Sequence, residues 1–121
     1  MATVLVIDDE PTLVQLLTLW LEMHGHQVLT AAHGEAGLQT LEQAGVDIIL
    51  VDMMMPHMDG ITFIRHLREK GYDQRVIVLS ALPGNPDLEE AGVIAQIRKP
   101  LSARDRNELL RLISAWAVPH A

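Results

Sequence analysis

The chain has 121 residues, of which 49% are hydrophobic and 21% are charged. This length fits one domain with a real hydrophobic core, and the composition is not that of a disordered chain. Nine basic and 16 acidic residues give a net charge of −7, which argues against direct nucleic-acid binding and against a general affinity for anionic membranes. The absence of cysteine excludes disulfide scaffolds, thiolate zinc sites and cysteine nucleophiles.

The N-terminal region has no basic leader followed by a long apolar run, so no signal peptide is predicted. The longest apolar segment, residues 13–23, is interrupted by Gln15, Thr18 and Glu22 and is too short to span a bilayer. We therefore expect a soluble cytoplasmic protein without membrane insertion.

The first half of the chain alternates short apolar runs with helical patterns. Residues 3–7 have the composition of a buried strand, and Pro11 suits the first turn of a helix expected over residues 12–23. Residues 26–31 form a second predicted strand. A polar helix is expected over residues 34–45, and a third, continuously apolar strand over residues 47–51.

In the second half, Asp59 can cap a helix. The apolar positions expected to face the core from this helix are Ile61, Ile64 and Leu67. A fourth strand is predicted at residues 75–80, and prolines and a glycine shorten the segment after it to one or two helical turns. A weak fifth strand at residues 94–97 precedes a closing helix over residues 102–117, capped by Ser102.

This order of elements is a fivefold βα repeat. Strands without polar alternation indicate a parallel sheet that is covered on both faces. Right-handed crossovers then favour a doubly wound, flavodoxin-like three-layer α/β sandwich with the strand order 2-1-3-4-5. We expect a single domain over residues 1–121, with no output domain in this chain.

Polar side chains stand at the carboxyl ends of four predicted strands. In chain order they are Asp8, Asp9, Glu10, Asp52, Ser80 and Lys99. Ligands of doubly wound sheets bind beyond these ends, where the strand order reverses, which here lies between strands one and three. Each residue alone has an ordinary explanation, such as a helix cap or a solvated turn. Their combination on four strand ends predicts a site.

The acids of this edge predict a cation. Two carboxylates about 4 Å apart repel by roughly 4 kcal/mol at an effective dielectric constant of about 20, so a stable fold needs something bound between them. Oxygen ligands without histidine or cysteine suit Mg²⁺, while a lysine and a hydroxyl suit an anion beside it. Together these groups predict phosphoryl transfer onto an aspartate, which can form an acyl phosphate.

Two other residue types attract attention but carry no predicted chemistry. Met53, Met55 and Met58 are expected to be packing residues rather than metal ligands. The histidines show no ligand spacing, and we expect them on the solvated surface. They are His24, His26, His33, His57, His66 and His120.

Four motifs give the chain a resemblance to a known family. Over nearly its whole length it resembles the response-regulator receiver domain of two-component signalling. The motifs are "IDDEP", "VDMMMPHMDG", "LSA" and "KP", after strands one, three, four and five. Each is weak alone, but together at these separations they are specific. The resemblance implies a phosphoacceptor that receives a phosphoryl group from a histidine kinase or a histidine phosphotransfer protein. It would then switch its interactions with a downstream effector or a second copy of itself.

The resemblance also implies roles for the acids. Asp52 would be the phosphoacceptor. Mg²⁺ would be held by Asp9, Asp52 and the backbone carbonyl of Met54, with Asp8 acting largely through water. Such a domain would catalyse only its own phosphorylation and dephosphorylation, so it would not be an enzyme for an external substrate.

For the remaining motifs, the resemblance implies that Ser80 hydrogen-bonds the phosphoryl oxygens. Lys99 would pair with the acids in the resting state and with the phosphoryl group afterwards. Ala81 would keep access to the site open. The bond between Lys99 and Pro100 would be cis.

The chain departs from the family pattern in two places. Receiver domains usually carry an aromatic residue three positions before the lysine, where this chain has Gln96. The segment between Ser80 and Lys99 is short and includes Pro83 and Pro86. We therefore expect intact phosphorylation chemistry with an altered relay to an output.

The first predicted helix carries more apolar residues than one sheet face can bury. Its polar stripe is narrow, and large side chains such as Leu19 and Trp20 flank it. We hypothesise that part of this helix docks a partner, either the phosphodonor or a second copy of the chain. The alternative is that the closing helix covers more of it.

Two other function classes remain as alternatives. One is a degenerate, receiver-like interaction module that binds Mg²⁺ without switching. The other is an enzyme on the same fold. A phosphatase of the haloacid dehalogenase type needs an Asp-x-Asp after strand one, and a flavin carrier needs a hydroxyl- and glycine-rich phosphate loop there. The run from Asp8 to Pro11 fits neither.

Overall fold

The computed structural model describes residues 1–115. These form five strands, four α-helices and one short 3₁₀ helix. In chain order they are β1 (Thr3–Ile7), α1 (Pro11–Met23), β2 (Gln27–Ala31), α2 (Gly34–Gln43), β3 (Ile48–Asp52), α3 (Gly60–Glu69), β4 (Arg75–Ser80), η1 (Pro86–Ala91, the 3₁₀ helix), β5 (Val93–Arg98) and α4 (Ala103–Ala115).

All strand pairs are parallel, and the order in the sheet is β2-β1-β3-β4-β5. This confirms the predicted doubly wound fold and its strand order. The segment after β4 contains one short helix, as its prolines and glycine predicted, and this helix is of the 3₁₀ type. The last two residues of the predicted closing helix, residues 116–117, lie outside the described part of the chain.

The sheet is buried on both faces because successive strand side chains point to opposite sides. Val4 and Val6 of β1 pack in the cluster that includes the buried leucines of α1 and α4. Leu5 and Ile7 pack in the opposite cluster, with α2, α3 and η1. Leu38 of α2 is buried there. The two clusters form the interior of a three-layer sandwich.

The core-facing stripe of α3 differs from the predicted one. Asp59 accepts a hydrogen bond from the Thr62 N–H at 2.8 Å, so the predicted cap is confirmed. Ile61, however, is 38% exposed, whereas Phe63 is fully buried. Because residues of an α-helix advance by about 100° each, a face centred on Phe63 and Leu67 turns Ile61 away from the sheet.

His26 also departs from the prediction that the histidines lie on the solvated surface. It is buried, and its Nδ1 accepts a hydrogen bond from the Ala2 N–H at 3.1 Å. Burial, reinforced by the charges of the N-terminal ammonium group and His24, lowers the pKa of this imidazole below its usual value. A buried histidine with a backbone partner is a structural residue that spacing alone does not indicate.

Part of α1 is exposed, as its composition predicted. Leu17 and Leu21 are buried against the sheet, whereas Leu16, Leu19 and Met23 are 61%, 62% and 82% exposed. The proposed docking role of this face stays a prediction. Within residues 1–115, no helix combines the length and the apolar character that crossing a bilayer requires.

Candidate functional site

The three aspartates of the predicted site meet at the carboxyl edge of the sheet. β1 and β3 are parallel neighbours in which Ile7 pairs with Val51, so the residues that follow these two positions are adjacent. One carboxylate oxygen from each of Asp8, Asp9 and Asp52 lies within 4.8 Å of the others. Asp8 and Asp52 are buried, while Asp9 is exposed. The cluster therefore has a buried floor and one side open to solvent.

Lys99 brings a positive charge into this cluster from the end of β5, which lies on the far side of β4 from β3 in the sheet. Its Nζ lies 2.8 Å from Asp8 Oδ2 and 3.5 Å from Asp52 Oδ1. It also lies 3.5 Å from Glu10 Oε1, a contact that the sequence reasoning did not assign. The signal for Glu10 was its place directly after the two aspartates. One ammonium group therefore contacts three of the four acids on this edge.

Burial and charge shift the pKa values of both central groups. Burial raises the pKa of Asp52, and the charge of Asp8 adds to this, although the Met54 N–H bond and Lys99 oppose it. For Lys99, burial disfavours the charge, but the hydrogen bond to Asp8 and the charges of Asp8, Asp52 and Glu10 together outweigh this effect and raise the pKa. The lysine is thus held protonated beside an acid that ionises less readily than usual.

Two backbone contacts shape the loop that follows Asp52. The Met54 N–H donates to Asp52 Oδ1 at 3.2 Å, and the Gly60 N–H donates to the Met53 carbonyl oxygen at 2.9 Å. A Cβ at Gly60 would stand 2.9 Å from the Asp52 carbonyl oxygen, so glycine permits this close approach. The loop is therefore fixed at both ends around the carboxylate.

Ser80 ends β4 beside this loop. Its carbonyl accepts a hydrogen bond from the Lys99 N–H at 2.8 Å, and its Oγ accepts one from the Leu82 N–H at 3.0 Å. The bond between Lys99 and Pro100 is cis, as expected. The hydroxyl and the lysine therefore lie on neighbouring strand ends that are connected through backbone hydrogen bonds.

An apolar cavity of about 470 Å³ adjoins the site. Its lining residues are Met53, Met54, Met55, Pro56, Asp59, Ile61 and Leu82. Met55 is buried, and Met53 and Met58 pack against the core, which confirms the expected packing role of these methionines. Met54 and Leu82 are about half exposed beside Asp52 and Ser80. The outer rim of the site is thus apolar, in contrast to its acidic floor.

Gln96 makes a contact that the sequence did not indicate. Its carboxamide pairs with both backbone polar groups of Asn85. Glutamine at this position departs from the pattern of the resemblance, but its partner depends on the path of the loop after β4. Tertiary structure alone brings these two residues together.

The donor set suits Mg²⁺. Three carboxylates offer oxygen ligands, the exposed side at Asp9 leaves room for water, and no histidine or cysteine belongs to the cluster. Mg²⁺ binds such sites through one or two carboxylates and retains several waters. Asp8 is committed in part to Lys99 and to the Glu10 N–H, which fits a more peripheral place in the set.

Comparisons with known proteins agree with this architecture. The family model for the response regulator receiver domain matches residues 4–113. Protein PilH of Pseudomonas aeruginosa is 32% identical over 120 residues, covering 95% of this chain and 97% of PilH. The alkaline phosphatase synthesis transcriptional regulatory protein PhoP of Bacillus subtilis is 34% identical over 113 residues, covering 91% of this chain but only 47% of PhoP.

Among solved structures, response regulator TrrA from Thermotoga maritima in complex with Mg²⁺ and BeF is similar in both fold and sequence. The TM-score is 0.80 and the identity 27%, over 93% of this chain and 99% of that one. With the family model covering most of its length and this agreement in fold, the chain belongs to the response regulator receiver domain family of two-component signalling.

Proposed function

We propose that the chain accepts a phosphoryl group on Asp52 in a Mg²⁺-dependent reaction. The observation that carries the proposal is the cluster of three carboxylates within 4.8 Å, with Lys99 on one side of it. An aspartate that lies between other carboxylates and a lysine is suited to attack phosphorus and then to hold the phosphoryl group. In keeping with its family, the chain acts as a signalling module that catalyses only its own phosphorylation and dephosphorylation.

In the proposed step, a carboxylate oxygen of Asp52 attacks the phosphorus of a phosphohistidine. A new P–O bond forms, the P–N bond breaks, and its electron pair returns to the imidazole of the donor. Lys99 Nζ then exchanges part of its contact with Asp8 for the incoming phosphoryl oxygens. Ser80 Oγ accepts the Leu82 N–H, so its own hydrogen remains available to donate to those oxygens.

The groups that would hold Mg²⁺ are Asp8, Asp9, Asp52 and the backbone carbonyl of Met54. When bound, the ion supplies positive charge that offsets the negative charge of the phosphoryl oxygens and of the aspartates. The partners we propose are a histidine kinase or a histidine phosphotransfer protein as donor, and a downstream effector or a second copy as recipient of the signal. A cytoplasmic location and a single domain over residues 1–121 stay predictions.

The alternative of an interaction module that binds Mg²⁺ without switching concerns the relay rather than the chemistry. No contact among the described residues favours it over the phosphoacceptor, since the three aspartates, Ser80 and Lys99 all meet at one edge. It differs in its expected result, because phosphorylation would then leave the hydrogen exchange of the chain unchanged outside the site.

Intact mass spectrometry after incubation with Mg²⁺ and acetyl phosphate tests the proposal. We expect a gain of one phosphoryl group in the wild-type chain and in a control variant, Asp73→Asn, whose exposed aspartate lies at the opposite edge of the sheet. The gain should be lost in Asp52→Asn and after removal of Mg²⁺ with a chelator. A phosphoryl group that still appears in Asp52→Asn would contradict the assignment.

A further inference from the structure

The side chain of Gln96 ties β5 to the loop after β4. Its Oε1 accepts the Asn85 N–H at 2.7 Å, and its Nε2 donates to the Asn85 carbonyl oxygen at 2.6 Å. The same carbonyl accepts the Leu88 N–H, and the Asn85 side chain accepts the Asp87 N–H, so Asn85 also caps η1. One amide therefore fixes the end of the loop and the start of the 3₁₀ helix.

The segment fixed in this way begins at the site. Residues 81–85, here named the 81–85 loop, follow Ser80 directly. Two hydrogen bonds fix the end of the loop that adjoins Ser80. The Lys99 N–H donates to the Ser80 carbonyl oxygen, and the Leu82 N–H donates to Ser80 Oγ. The loop is short, and Pro83 fixes one of its backbone angles, so few free torsions separate Asn85 from Leu82. A Cβ at Gly84 would stand 3.4 Å from Gln96 Oε1, which shows how closely the amide packs against the loop.

We propose that Gln96 is a positioning residue for Ser80. By holding Asn85, it holds the 81–85 loop, and through the Leu82 N–H it sets the direction in which the Ser80 hydroxyl donates its hydrogen. The inference rests on the proposed phosphorylation of Asp52. The pairing needs a donor and an acceptor on one planar group of this length, so neither an aromatic ring nor an aliphatic chain at position 96 can form it.

Two measurements test the proposal, with Gln96→Met as the principal variant. Methionine keeps the approximate length and volume of glutamine but removes both hydrogen bonds. Gln74→Met is the matched control, because Gln74 is also partly buried and donates to a backbone carbonyl, that of Val46, beside the amino-terminal ends of the strands. Should Gln96→Met fail to fold, Gln96→Glu replaces it, since it keeps an acceptor for the Asn85 N–H but loses the donor.

The first measurement is amide hydrogen exchange in metal-free protein. We expect Gln96→Met to accelerate exchange at Leu82 and Asn85, and Gln74→Met to leave both amides at the wild-type rate. The second is the rate of phosphorylation by acetyl phosphate with Mg²⁺, followed by intact mass. Gln96→Met removes two side-chain-to-backbone hydrogen bonds, but Ser80 experiences their loss only through the 81–85 loop. We therefore expect the rate to fall roughly twofold to tenfold, the factor that corresponds to one net hydrogen bond.

A double-mutant cycle with Ser80→Ala separates positioning from a general loss of structure. If Gln96 acts through Ser80, Gln96→Met causes no further slowing in the Ser80→Ala background. A slowing of the same size in both backgrounds overturns the proposal, as does unchanged exchange at Leu82. If the wild-type chain is phosphorylated and Gln96→Met does not change the rate, this inference alone is overturned. An unphosphorylated wild-type chain overturns the proposed function as well.

Discussion

Lys99 decides whether the acidic edge of the sheet is stable without a cation. Asp8 and Asp52 are almost completely buried, and each would repel the other at the distances found in the cluster. The ammonium group contacts both, so the resting protein carries a partial internal counterion. Lys99 contacts three acids, so the negative charge of this edge exceeds its single positive charge. The cluster therefore still attracts a further cation.

Replacement of Lys99 by methionine should raise the pKa of Asp52 further above its usual value. Burial already raises it, and the charge and hydrogen bond of Lys99 are among the effects that oppose this rise. Carboxyl ¹³C NMR titration of metal-free protein measures the change. Lys70→Met, which removes an exposed lysine after α3, serves as control. If Asp52 titrates at the same pH in Lys99→Met as in wild type, the assigned role of the ion pair is wrong.

Buried His26 makes stability depend on pH. Its pKa is lowered in the folded protein, so the unfolded chain binds a proton near the usual value of 6.5 while the folded protein does not. Stability is therefore present above this value and is lost as the pH falls below it, by at most about 1.4 kcal/mol per pH unit. The loss ends once the pH falls below the lowered pKa of the folded state.

Urea unfolding between about pH 8 and about pH 5 tests this linkage. We expect His26→Gln to reduce the loss of unfolding free energy on acidification, and His66→Gln, at a partly exposed position of α3, to leave it as in wild type. Equal acid sensitivity of wild type and His26→Gln would show that other groups cause the loss.

At the scale of the elements, Arg68 connects three segments at the edge of the sheet opposite the site. Its guanidinium donates to the carbonyl oxygens of Ala91, Tyr72 and Gln74 at 2.7, 2.9 and 2.9 Å. These oxygens belong to the end of η1 and to the turn between α3 and β4. A Cβ at Gly92 would stand 2.6 Å from Arg68 Nη2, so the adjacent glycine makes room for the contact.

Arg68→Met should therefore lower the free energy of unfolding by about 1–3 kcal/mol, because it leaves three backbone carbonyls without this donor. Arg65→Met is the matched control on the exposed side of the same helix and should change it by less than about 0.5 kcal/mol. Urea denaturation of the two variants gives the comparison. Similar losses in both would mean that the three bonds contribute no net stability.

For the whole molecule, the sequence was sufficient to predict what local pattern and topology determine. Apolar strands without polar alternation predicted a parallel sheet, and right-handed crossovers favoured its doubly wound order. A parallel sheet brings the carboxyl ends of its strands together, so Asp8, Asp52 and Lys99 could be placed at one edge. Contacts between distant segments were not predictable in this way. The burial of His26 against Ala2 and the pairing of Gln96 with Asn85 depend on how loops pack after the sheet has formed.

Mg²⁺ should stabilise the whole domain if it binds the folded cluster alone. A ligand that binds only the native state adds RT ln(1 + [L]/Kd), which is about 2.7 kcal/mol at a hundredfold excess over Kd. We expect the urea midpoint of the wild-type chain to rise with added Mg²⁺ and to return on chelation.

Asp9 is exposed, so Asp9→Asn should fold normally but lose most of this rise. Asp73→Asn, which removes an exposed acid outside the cluster, should keep it. A rise of equal size in Asp9→Asn would place the stabilising ion elsewhere on this acidic surface, because the cluster cannot bind as tightly after losing its most accessible carboxylate.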